Sequence, residues 1–183
     1  MSVFLRRFRL CLGHSRLVGH LPAAIVIALL LTVTAQAQVF QGGTVKAQHG
    51  DWQVFCKAPP PGAKNEICGV VQSVTSEDND NIGLTVIAQR FSDGKLVLRV
   101  VVSLGVFLGK GLGVQVDDQV QGHVPFDRCL LAGCQAQMLV DDALLARLKA
   151  GKTMMFIVYR TQEAGIGIPT SLSGFGQALN GLR

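Results

Sequence analysis

Histidine is scarce in this chain. Of the four present, only His49 and His123 lie beyond the first 37 residues, and neither sits in a recognisable nucleophile or metal motif. Zinc sites and histidine-based hydrolases need imidazole at a defined distance from further ligands or a nucleophile. A Ser/His/Asp set can be assembled on paper from His49, Asp51 or His123 with one of several serines, but triads are recognised by geometry, so a hydrolase without a visible motif stays open as an alternative. A long apolar run is missing too. The longest, LPAAIVIALLLTV from Leu21 to Val33, has 13 residues, against roughly 20 for a membrane-spanning helix. The chain has no internal repeat, low-complexity tract or linker.

The short apolar run belongs to a pattern. Arg6, Arg7, Arg9 and Arg16 precede it, and TAQA follows, ending in the small residues Ala35 and Ala37. This is the layout of a secretory signal peptide, with cleavage expected after Ala37. Extension of the run through Thr34 and Ala35 leaves an uncleaved anchor as the alternative. The paired arginines of LRRFRL are accounted for by the arginine-rich region rather than by a twin-arginine signal. No cysteine follows the small residues, which argues against a lipoprotein anchor.

Export changes the charge argument. The whole chain carries 17 Lys plus Arg against 12 Asp plus Glu, a net +5, but four arginines and no acid lie in residues 1–37. Residues 38–183 therefore keep 13 (17 − 4) basic against 12 acidic residues, net +1. Nucleic-acid binding needs basic residues concentrated on one face, and the basic surplus here belongs to the targeting segment. The 146 residues from 38 to 183 form one domain by the usual size prior, large enough for a real core.

Cysteine is also sparse. Cys11 leaves with the signal, and Cys56, Cys68, Cys129 and Cys134 remain. In an exported chain four cysteines read first as two disulfides. Three connectivities exist, and spacing favours Cys56 with Cys68 and Cys129 with Cys134. If Leu130 to Gly133 form a hairpin tip, Cys129 and Cys134 face each other, and Gly133 can take the left-handed backbone such a loop often needs. A redox reading of this pair is weaker, because the thioredoxin-type arrangement is C-x-x-C at a helix N-terminus, whereas here four residues intervene in a turn-like setting.

Most of the remaining pattern is strand. DWQVFC alternates, KAPPPGAKNE is a turn-rich loop, and ICGVVQSVTS reads as a hairpin partner. GLTVIAQRF and KLVLRVVVS are joined through SDG, in which Asp93-Gly94 is a two-residue hairpin signal. GLGVQVDD, VQGHVPF and TMMFIVYRT follow, then GIGIPTSLS, where Pro169 argues for an edge. VDDALLARLKAG is the one clear helix: Asp141 or Asp142 caps it, Ala143, Leu144, Leu145 and Leu148 form its apolar face, and Lys149 with Gly151 closes it. FGQALNGL suggests a short second helix. About seven strands with one or two helices predict a mainly β fold, an antiparallel β-sandwich or barrel with a packed α-helix.

Two glycine or acid-rich stretches invite ligand readings. SLGVFLGKGLGVQ fails the P-loop spacing, since Gly105 to Gly109 is one residue short and Lys110 is followed by Gly111. Turn and bulge glycines between two strands explain it. EDNDN lacks the spacing of a calcium loop, and Asp141 and Asp142 are explained by capping. No metal or cofactor is expected.

Taken in order, GDWQVFC, CGVVQ, SLGVFLGKGLGVQVDD, PFDRCLLAGC, LLARLKAGK and IPTSLSGFGQAL resemble the invasion-associated locus B family of exported bacterial proteins, from Gly50 to Leu182. The matching positions are Trp52, Cys56, Cys68, Gly105, Gly111, Pro125, Phe126, Cys129, Gly133, Cys134, Ser171, Gly174 and Phe175. The resemblance implies a periplasmic or envelope protein, or a secreted one, implicated in some members in entry into host cells and without an established catalytic activity. It implies a protein or host-surface partner, or peripheral contact with the envelope. A surface-acting, non-enzymatic protein is thus the expectation, with a thiol-disulfide protein using Cys129 and Cys134 as the competing class.

Overall fold

The computed structural model describes residues 42–62, 64–76 and 82–182, within one compact unit, Ala37–Arg183. The expected signal segment and its cleavage point, and the acidic stretch at 77–81, lie outside the described residues. Eleven strands form two antiparallel sheets among the described residues. The first sheet holds β1 (Gly43–His49), β2 (Trp52–Lys57), β3 (Ile67–Thr75), β4 (Gly83–Arg90), β5 (Leu96–Val102), β8 (Phe126–Leu130) and β9 (Gly133–Val140). Its order is β1-β2-β3-β4-β5-β9-β8. The second holds β6 (Leu112–Val116), β7 (Gln119–Val124), β10 (Thr153–Tyr159) and β11 (Gly165–Ser171), in the order β11-β10-β6-β7. The architecture is a sandwich, as expected, with more strands than the sequence pattern suggests.

Alternation fixes which face each strand turns inward. Trp52, Val54 and Cys56 on β2, Leu96, Leu98, Val100 and Val102 on β5, and Met154, Phe156 and Val158 on β10 are buried in one core shared by both sheets. A one-residue slip would expose every one of these, so register is tightly specified. The chain runs β1 to β5 as a meander, crosses to the second sheet for the β6–β7 hairpin, and returns for the β8–β9 hairpin, where β9 pairs with β5. β11, which contains Pro169, is an edge strand of its sheet, as a missing N–H donor requires.

The β4–β5 connection is wider than the two-residue turn expected at Asp93-Gly94. Arg90 pairs with Leu96, and the Phe91 N–H donates to the Lys95 carbonyl. Two-residue turns occur instead at Gly50-Asp51, at Leu131-Ala132 and at Asp117-Asp118, where Asp117 takes φ 50°. The Asp117 carboxylate accepts N–H bonds from Lys152 and Thr153, both at 3.0 Å, tying this turn to the start of β10.

Helix α1 (Asp142–Ala150) is capped by Asp141, whose Oδ1 accepts from the Leu144 N–H at 2.7 Å. It buries Leu144 and Leu148, while Ala143 is exposed and Leu145 half-buried. Gly151 ends it by donating to the Arg147 carbonyl, in an extended conformation rather than the left-handed one typical of glycine caps. Helix α2 (Phe175–Asn180) buries Phe175, Ala178 and Leu179.

The two ends of the domain are clasped together. The Trp52 indole N–H donates to the Ser171 carbonyl at 2.8 Å across 119 residues, and its ring packs on Phe175 with centroids 4.8 Å apart. The Asp51 N–H donates to the Ser173 carbonyl. Gly174, at φ 88°, approaches so closely that any Cβ would collide with the His49 carbonyl.

Both disulfides join directly facing residues of neighbouring strands. Cys56–Cys68 ties β2 to β3 with Cα atoms 4.1 Å apart, and Cys129–Cys134 ties β8 to β9 at 3.9 Å. Leu130 faces Gly133, leaving Leu131 and Ala132 as the tip, so the predicted staple is present. Gly133 has φ 136°, and its backbone lies against the Val102 carbonyl, where a side chain would not fit.

Candidate functional site

The residues that carry the family resemblance are occupied with holding the sandwich together. Trp52, Ser171, Gly174 and Phe175 make the clasp, Gly111 lies against Val124 and Pro125, and the cysteines staple hairpins. The SLGVFLGKG stretch is the crossing between sheets, with a single 3-10 turn at Leu108–Lys110 followed by strand β6. Its glycines thus serve a turn, as expected. The two histidines lie apart from one another's elements, one on β1 and one on β7. His123 Nε2 is 3.1 Å from the Tyr159 hydroxyl, and Lys110 lies over the same Tyr159 ring with Nζ 4.9 Å from its centroid. Among the described residues His49 has no side-chain hydrogen bond to a serine or carboxylate. Cys129–Cys134 closes a β-hairpin and is not at a helix N-terminus.

A different surface has the shape of a binding site. On the outer face of the seven-stranded sheet, away from the core, a cavity of about 290 Å³ runs obliquely between the two disulfide-stapled hairpins. Phe55, Lys57 and Ile67 border it at the β2–β3 end, and Leu130, Ala132 and Gly133 at the β8–β9 tip. Cross-strand register places Val71 opposite Ile87 and Ile87 opposite Arg99, with Val101 opposite Gln135 in the next row. These side chains form the floor. Gly69, beside Ile87, keeps the floor low where β3 passes through.

The lining is apolar with a few polar groups: Lys57, Gln89, Arg99 and Gln135. Among the described residues it contains no histidine, serine or carboxylate. The Arg99 guanidinium donates through Nε and Nη2 to the Gln137 amide oxygen at 3.1 and 3.0 Å, and Gln137 in turn donates to Asp127 at 2.9 Å. Arg99 is thereby held in place by a neutral group, and Asp127 is one residue removed from it. Lys57 has no ion-pair partner among the described residues. The carboxylate nearest in sequence to that end of the cavity, Glu66, is engaged by Lys46 at 3.0 Å.

This face was missed in the sequence reading, although a signal exists. An antiparallel sheet with one solvated face shows clean alternation of apolar and polar residues. CGVVQ, LTVIA and LVLRVVV instead run nearly continuously apolar through β3, β4 and β5, and Val71 and Ile87 are buried although they point away from the sandwich core. Such runs mark a sheet apolar on both faces.

Comparison with known proteins assigns the chain's relatives. A family model described as "Invasion associated locus B (IalB) protein" matches residues 52–183. Invasion protein B homologs from Brucella abortus strain 2308 and from Brucella abortus biovar 1 strain 9-941 are each 26% identical over 160 residues, covering 86% of this chain and 91% of theirs. The crystal structure of invasion associated protein B from Bartonella henselae superposes with a TM-score of 0.64 at 22% identity, covering 75% of this chain and 93% of that one, which establishes the shared fold.

Proposed function

The chain belongs to the invasion associated locus B family, and on that premise we propose that it is an exported, non-enzymatic protein of the periplasm or cell envelope that works by binding, through the outer face of its seven-stranded sheet. Binding of this kind contributes to interaction with host cells, in keeping with the names of its Brucella relatives. The carrying observation is the groove itself: a concave, mostly apolar surface with a few polar groups, the usual constitution of a ligand site. Export is supported by the signal-like pattern of residues 1–37 and by two disulfides, which persist in oxidising compartments.

The test is complementation. Deletion of the gene from the producing bacterium lowers entry into cultured host cells, and wild-type protein restores it. The variant Ile67→Glu/Leu130→Glu, altered at two exposed groove borders, restores export and abundance but not entry. Full rescue by that variant would remove the groove from the function, and full entry by the deletion strain would remove the invasion role.

A further inference from the structure

Resting on the binding role assigned to the groove above, we propose that its ligand is a free, single-chain fatty acid: the acyl chain lies along the apolar floor and the carboxylate is taken by Arg99 or Lys57. Three observations select this occupant. The first is charge. Among the described residues the cavity presents two cations and no carboxylate, Arg99 is held by the neutral Gln137 amide, and the nearby acids are engaged elsewhere, Glu66 with Lys46 and Asp127 with Gln137. A half-buried guanidinium with no counter-ion among the described residues is incompletely satisfied, and a carboxylate fits its fork of donors.

The second is the backbone. A peptide needs partners for its own N–H and C=O groups, which sheet edges supply and sheet faces do not. In β3, β4 and β5 these groups are already engaged in ladders with a strand on either side. An acyl chain has no such groups to satisfy, so a floor of Val71, Ile87 and Val101 suits it and leaves a peptide's backbone unpaired. The third is size. At about 290 Å³, the cavity lies at the small end of small-molecule sites, roughly 300–1,000 Å³. A protein partner would have to present a narrow ridge to fill it.

The fit also assigns roles. Gln89 and Gln135 flank the floor as neutral hydrogen-bond groups, and each end of the groove is bordered by a disulfide-stapled hairpin. The borders Ile67 and Leu130 are exposed, so the acyl chain enters from the two ends of the cavity.

The experiment is competitive binding. Protein purified from the envelope of producing cells and stripped of lipid on a hydrophobic resin is loaded with the fluorescent fatty acid cis-parinarate, then titrated with laurate, dodecyl maltoside or dodecyltrimethylammonium. Laurate displaces the probe at one site per chain, about tenfold more tightly than the uncharged maltoside, as a charge-assisted hydrogen bond predicts, and the cationic amphiphile is weakest. Arg99→Gln and Lys57→Gln each reduce the preference for laurate over maltoside, with dodecyl maltoside displacement unchanged. Lys57 makes no side-chain bond to the described residues, so Lys57→Gln carries the test even if Arg99→Gln disturbs the Gln137 network.

Equal displacement by all three head groups, or a laurate preference untouched in both variants, overturns the proposal. So does non-saturating uptake of laurate, which is detergent adsorption, or binding to phosphatidylglycerol vesicles in preference to laurate, which is membrane docking. Hydroxyl-radical footprinting of Ile67, Val101 and Leu130, on strands β3, β5 and β8, in the lipid-free protein separates the remaining occupants. Protection before any ligand is added assigns the groove to the chain's own N-terminal segment or a second copy and overturns the proposal. If laurate is inert but fatty-acid-free envelope extract protects these residues, the fatty acid fails and the binding role stands; if neither protects them, both fail.

Discussion

Replacing Gly174 by alanine isolates the clasp that joins the two ends of the sandwich. Gly174 sits at φ 88°, and an added Cβ would lie far inside van der Waals contact with the His49 carbonyl and 2.8 Å from the Gly50 nitrogen. Gly94 has nearly the same backbone angle, φ 84°, yet nothing lies within 4 Å of its would-be Cβ. Both substitutions incur the left-handed cost, about 1–2 kcal/mol, offset in part by the lower entropy of an unfolded alanine chain, about 0.4–1 kcal/mol. Only Gly174→Ala must also push two backbone segments apart, which costs about 1–3 kcal/mol as overpacking. The shift breaks the 3.2 Å bond from the Asp51 N–H to the Ser173 carbonyl, worth about 1 kcal/mol. Gly174→Ala should therefore be less stable than Gly94→Ala by about 2–4 kcal/mol. Urea unfolding followed by the fluorescence of Trp52, the only tryptophan in the chain, measures this at the clasp itself. A difference under about 0.5 kcal/mol would show that the close approach is soft and refute the reasoning.

Further outcomes follow from the same geometry. Removing Cys56–Cys68 by paired alanine substitution costs about 3 kcal/mol and removing Cys129–Cys134 about 2 kcal/mol, because the first closes the longer loop, a separation of 12 against 5; the reverse order in denaturant midpoints would contradict a loop-entropy account. Trp52→Phe leaves the Ser171 carbonyl without its indole donor and costs about 1–3 kcal/mol in a circular-dichroism melt. The Asp117 carboxyl is held below its ordinary value of 3.8 by the backbone N–H of Thr153 and then of Lys152. A depressed carboxylate stabilises above its unfolded pKa and loses that contribution as pH falls through the folded one. The stability gap between wild type and Asp117→Asn should thus be present at neutral pH and narrow below 3.8; a gap constant down to about pH 2.5 would remove Asp117 from the acid response.

Much of the fold was legible because local chemistry and global structure agree. Asp141 caps α1, Pro169 lies on an edge strand, and the cysteines pair between neighbouring strands, each a consequence of short-range rules. The strands that escaped notice are of two kinds. β1, GTVKAQH, is largely exposed and has no apolar face to announce it; it is held by pairing to β2. β8 and β9 flank the hairpin that the cysteine pair suggests, but no strand-like run marks their extent. A two-residue turn was expected at Asp93-Gly94, where glycine supplies a positive φ, but the connection there is wider; one such turn lies at Asp117-Asp118, where the Lys152 and Thr153 N–H groups hold the Asp117 carboxylate and its φ is positive.

What the sequence by itself determined is the chemistry of each segment: strand or helix period, which cysteines can bridge, which glycines must stay bare, and the targeting pattern at the start. These depend on neighbours within a few residues. Only the tertiary structure decided that Trp52 meets Ser171 across 119 residues, and that valines and isoleucines from β3, β4 and β5 line an outer groove beside Lys57 and Arg99 rather than a second core. The reason is physical. Periodicity says that a residue is apolar and on which face of its strand it lies, but whether that face meets a sheet, a ligand or water depends on where the chain places its other layer.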